Sequence, residues 1–81
     1  MTKDQIQNKL LAVLNTSFPN NPIAITLNSK PLDIDAWDSL GHMLLINEIE
    51  NTFKIKFDLE DMLNFDSVNS ILTAIYDKLL T

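Results

Sequence analysis

The tightest constraint on this 81-residue sequence is where its helix breakers lie. All three prolines, Pro19, Pro22 and Pro31, precede residue 32, and beyond them the only interruption is Gly41, the single glycine. Proline lacks a backbone donor and clashes with the preceding turn, and with Asn20, Asn21, Asn28 and Ser29 beside the prolines, residues 19–37 cannot form a long regular element. Outside that stretch the apolar spacing decides the fold. Ile6, Leu10, Val13 and Leu14 recur at i, i+4, i+7 and i+8. Leu45, Ile46, Ile49 and Phe53 recur at i, i+1, i+4 and i+8, and Val68, Ile71, Leu72, Ile75 and Leu79 at i, i+3, i+4, i+7 and i+11. Each set lies along one face of an α-helix.

Local signals set the boundaries. Thr2 and Gln5 read as a capping box opening a first helix over about residues 3–17, with Phe18 extending its stripe until Pro19 stops it. Asp38-Ser39 opens a second helix, which Lys54-Ile55-Lys56-Phe57 ends. Asp58 caps a short third helix through Asp61-Met62-Leu63, and Asp66 or Ser67 caps the last. Residues 19–37 are predicted as a long ordered loop. Ile23, Ile25 and Leu27 alternate as in a strand, but no second strand is at hand to pair with them, so they are expected to pin the loop across the helices. The predicted fold is all-α: a small four-helix bundle of three longer helices and one short one, in a single domain over residues 1–81. A long loop in so small a domain tends to be functional.

Composition then narrows the function. With no cysteine, a disulfide framework, a thiolate metal site and a cysteine nucleophile are excluded. His42 is the only histidine, and no nucleophile elbow marks a Ser-His-Asp set. One glycine cannot build a glycine-rich phosphate loop. Asp33 and Asp35, and then Asp58, Glu60 and Asp61, lack the spacing and turn glycine of an EF-hand and are read as caps and solvated acids, with no metal expected. No enzymatic activity is expected of the chain. The net charge is −5, and its distribution is uneven: residues 33–66 hold nine acids against Lys54 and Lys56. The absence of arginine, together with this acidity, argues against nucleic-acid binding and for partner proteins with basic patches. No apolar run approaches the ~20 residues of a membrane span, and Met1-Thr2-Lys3-Asp4 lacks a signal-peptide pattern, so a cytoplasmic location is expected; a monomer is also expected.

The remaining candidate is Ala36-Trp37-Asp38-Ser39-Leu40-Gly41-His42-Met43, at the junction of the long loop and the second helix. Here the sequence resembles the acyl carrier protein family, whose signature Asp-Ser-Leu at the start of the second helix stands as Asp38-Ser39-Leu40. The likeness covers essentially the whole chain: domain size, long loop, a second helix ending Glu50-Asn51-Thr52-Phe53, then a short acidic helix and a final one. The resemblance implies that a phosphopantetheinyl transferase moves 4'-phosphopantetheine from coenzyme A onto Ser39. It also implies that acyl-loading and acyl-processing enzymes of fatty acid, other lipid or secondary metabolite biosynthesis are partners. A helix N-terminus suits such a phosphodiester, because it offers unpaired N–H groups and partial positive charge. The plain alternative is that Asp38 or Ser39 is only an N-cap.

By the same resemblance Asp38 and Leu40 belong to the cofactor site. A partner surface is expected from Leu40, Met43, Leu44, Asn47, Glu48, Glu50 and Phe57. Gly41, Leu44 and Asn47 stand where fatty-acid carriers usually bear acids, which implies a more apolar surface. Ala36-Trp37 precedes the motif where peptidyl and aminoacyl carriers often have Gly-Gly, which favours acyl cargo. Such cargo is expected to enter between the second and third helices, past Met62, Leu63 and Phe65. Met1 and the short tail after Leu80 lead to the expectation of a free-standing carrier. Trp37 is expected to anchor the loop and His42 to be packed, while the role of Gly41 stays open. The competing classes are a carrier-like interaction module without a prosthetic group and, less in keeping with the charge, a helical DNA-binding domain.

Overall fold

The capping box at the first helix forms as read. The Thr2 hydroxyl accepts from the Gln5 N–H at 3.2 Å, and Gln5 Oε1 accepts from the Thr2 N–H at 2.9 Å. The computed structural model describes residues 1–80. Helix α1 spans Lys3–Ser17 and ends where the Phe18 N–H reaches the Leu14 carbonyl, just before Pro19. Helix α2 spans Ser39–Phe53, α3 spans Leu59–Asn64 and α4 spans Val68–Leu80. No strand occurs among the described residues, and the predicted bundle of three longer helices and one short helix is the fold observed.

The three apolar stripes converge on one core. Ile6, Leu10 and Leu14 of α1, Leu45 and Ile49 of α2, and Val68, Ile71 and Ile75 of α4 are all fully buried. Helix α1 is central and packs on both α2 and α4. Each helix is too short to be stable alone, so burial of these faces holds it in register.

The long loop is ordered, but not as an isolated strap. Ile25, Ile34 and Trp37 are buried and Leu27 is half-buried, whereas Ile23 is 67% exposed and pins nothing. The Leu27 carbonyl accepts from the Asn69 N–H at 2.9 Å, and the Ser29 carbonyl from the Val68 N–H at 3.0 Å. These are first-turn donors of α4, which have no partner within their own helix. The apparent strand pattern therefore spends its carbonyls on a helix end rather than on a second strand. Ser67 supplies the rest of that cap, its hydroxyl accepting from the Ser70 N–H at 3.2 Å. The loop also holds a 3₁₀ turn, Pro31–Asp33, that periodicity did not reveal. Asp33 stabilises it by accepting from the Lys30 N–H at 3.1 Å.

Helix α2 ends at Lys54, the one non-glycine residue with positive φ (56°) among the described residues, in the left-handed conformation typical of helix C-termini. The chain then turns into α3, which buries no residue of its own. Phe57 and Phe65, on either side of α3, meet edge-to-face at 5.1 Å and anchor its two ends.

Candidate functional site

The start of α2 is built by three local devices. The carboxylate of Asp38 accepts from the Gly41 N–H at 2.8 Å, and its carbonyl accepts from the His42 N–H at 2.7 Å, so Asp38 is the N-cap. Trp37, only 3% exposed, locks the preceding residues to the core and stacks on Phe18 with ring centroids 6.1 Å apart. Its indole N–H donates to His42 Nδ1 at 2.8 Å, with the two rings 17° from parallel.

His42 is doubly engaged. Indole is a donor only, so Nδ1 must be the acceptor; Nε2 then carries the proton and donates to the Met62 carbonyl at 2.9 Å. The expectation that His42 is packed holds, and packing is accompanied by a tie between the loop, α2 and α3. It lies within a row of rings, Phe18, Trp37, His42, Phe65 and Phe57, that links the end of α1, the loop, α2 and both flanks of α3.

Gly41 has a geometric reason. A Cβ built there would overlap the Ala36 carbonyl oxygen and lie 3.1 Å from its carbon. Its φ is not positive, so space rather than backbone freedom demands glycine.

Above this base Ser39 is the first residue of α2 and is exposed. Leu40 (69%), Met43 and Leu44 are also exposed, and Asn47 and Glu48 continue the same outer surface. An open groove of about 590 Å³ runs beside it, between the end of α1 and α2, lined in part by Phe18, Leu40, Leu44, Asn47 and Glu48. Two residues expected on this surface do not belong to it. Phe57 is 6% exposed, its ring held against Phe65 in the core. Glu50 is half-buried, and its carboxylate accepts from the Phe57 N–H at 2.8 Å, so it closes the α2–α3 connection. Leu63 is 76% exposed, so of the three residues expected to gate cargo only Met62 and Phe65 face inward.

An exposed hydroxyl on the first turn of a helix is where a phosphodiester is best accommodated, since the N-terminal N–H groups and the helix dipole both favour it. The sequence matches the family model described as a phosphopantetheine attachment site over residues 5–75. The chain belongs to this family. No curated protein matches the sequence. As a phosphopantetheine-carrier domain it is a site of covalent 4'-phosphopantetheine attachment, which implies a phosphopantetheinyl transferase and further partner enzymes. Carrier domains of this family are typically non-catalytic. No helix among the described residues is long and apolar enough to cross a membrane.

Proposed function

We propose that Ser39 bears the 4'-phosphopantetheine arm and that the protein, a single carrier domain, presents thioester-linked acyl groups to enzymes of lipid or specialised-metabolite biosynthesis. The observation that carries this reading is Ser39 itself: an exposed hydroxyl opening α2 within Asp38-Ser39-Leu40, inside the span matched by the family. Transfer forms a bond between Ser39 Oγ and the phosphorus of the pantetheine phosphate of coenzyme A. The P–O bond to adenosine 3',5'-bisphosphate breaks, and the hydroxyl proton passes to a base of the transferase. Once bound, the group supplies a thiol that holds acyl cargo as a thioester.

This chain offers Ser39 no histidine base, because both ring nitrogens of His42 are occupied by Trp37 and Met62. The catalysis therefore belongs to the transferase, and the chain's part is to display the hydroxyl. The Asp38 carboxylate, exposed and committed through one oxygen to the Gly41 N–H, is the group for the transferase's metal or basic side chains to contact. Leu40, Met43 and Leu44, with Asn47 and Glu48, form the docking surface, more apolar than charged. Ala36-Trp37 ahead of the motif supports acyl rather than peptidyl cargo. The protein acts as a cytoplasmic monomer in this reading.

Intact-mass measurement after incubation with coenzyme A and a broad-range transferase tests the proposal. One phosphopantetheine is expected on the wild type and none on Ser39→Ala. A wild-type protein that gains no mass overturns the carrier reading and favours an interaction module without a prosthetic group.

A further inference from the structure

We infer that Gly41 and the Trp37–His42 hydrogen bond are positioning elements for transfer onto Ser39, an inference that rests on the carrier reading. Ser39 lies between two short segments that are fastened to each other. On one side Ala36 and Trp37 end the loop; on the other Gly41 and His42 complete the first turn of α2. The segments meet twice. The Ala36 carbonyl sits directly against the Gly41 backbone, in space that any Cβ would fill. One residue further along on each side, the indole N–H of Trp37 reaches His42 Nδ1 at 2.8 Å. His42 is in turn held from the far side by the Met62 carbonyl at 2.9 Å, and Trp37 by burial against Phe18.

The arc from Trp37 to Gly41 is thus closed at its base, with Asp38 capping within it. Ser39 projects from a clamp rather than from a frayed helix end. This matters because the hydroxyl must meet phosphorus in line on another protein's surface. A misplacement of about 1 Å can cost about 100-fold in rate. The alternative is that Gly41 is merely tolerated in the first turn. The two readings differ in sign: in an open helical position alanine stabilises relative to glycine, whereas here its methyl drives the loop off the helix.

The test compares wild type, Gly41→Ala, Trp37→Phe and Ile75→Val, the last a core change in α4 remote from Ser39 that serves as a stability-matched control. All are assayed for phosphopantetheine transfer at a temperature where circular dichroism shows them folded. For Gly41→Ala we expect Tm to fall, kcat to fall about tenfold or more, and KM for the carrier to stay within about twofold, since the outer face of α2 is untouched. Trp37→Phe keeps an aromatic ring against Phe18 but loses the indole's pyrrole ring together with its donor, and shows a smaller kcat loss. Ile75→Val keeps wild-type kcat. Exchange of the Trp37 indole proton, slow in wild type, becomes faster in Gly41→Ala. Wild-type kcat in Gly41→Ala, or an equal loss in Ile75→Val at matched stability, overturns the inference. If Gly41→Ala does not fold, Trp37→Phe decides, and wild-type kcat there overturns it. A wild-type protein that accepts no phosphopantetheine defeats the carrier reading instead, so the two failures are distinguishable.

Discussion

Lys54 and His42 show how much rests on single positions. Lys54 holds φ at 56° with an exposed side chain, a conformation that costs any residue with a Cβ and that glycine adopts freely. Lys54→Gly removes a left-handed penalty of about 1–2 kcal/mol against an entropic cost of glycine of about 0.5–1 kcal/mol, so a small net stabilisation is expected, read as a rise in the midpoint of chemical denaturation; a fall contradicts it. His42 satisfies a buried indole donor and a half-buried carbonyl at once. His42→Ala leaves the Trp37 N–H without its partner, and a buried unsatisfied donor costs about 1–3 kcal/mol. Urea denaturation at neutral pH measures that loss, and an unchanged midpoint contradicts the tie.

Among the elements, α3 stands apart. The other helices each bury at least four apolar side chains, whereas α3 buries none fully and is held by half-buried Met62, by Phe57 and Phe65 at its ends and by the hydrogen bond from His42. Few buried contacts mean low local stability. Hydrogen exchange should therefore find the amides of α3 the least protected of the four helices and those of α1, which packs on two neighbours, among the slowest. Equal protection in α1 and α3 contradicts this.

For the molecule as a whole, charge is the relevant quantity. Nine of the eleven acids lie in residues 33–66, the part of the chain that contains α2 and α3. Attraction between such a surface and a basic partner is screened beyond about 10 Å at 0.1 M salt. Raising salt from about 50 to about 500 mM should raise the transferase KM for this protein severalfold with little change in kcat. A KM that ignores salt shows instead that the apolar strip of Leu40, Met43 and Leu44 dominates docking.

The period of the apolar residues determined the helices, and short-range chemistry determined their ends. Thr2 with Gln5, Asp38 with Gly41, and Ser67 with Ser70 are each three residues apart, so the local order of residues encodes those caps. The candidate serine was legible for the same reason, since the motif and the start of α2 coincide. What only the tertiary structure decided involves partners far apart in sequence. Leu27 and Ser29 cap α4, about 40 residues on, which no local pattern announces. Phe57, read as surface, turned inward because Phe65 waits across α3, and Ile23 is exposed although the alternation groups it with Ile25 and Leu27. The need for glycine at 41 arises from a carbonyl pressed against it through space. Hydrogen bonds within one turn are written in neighbouring residues; contacts between segments depend on how the packed helices bring the chain together.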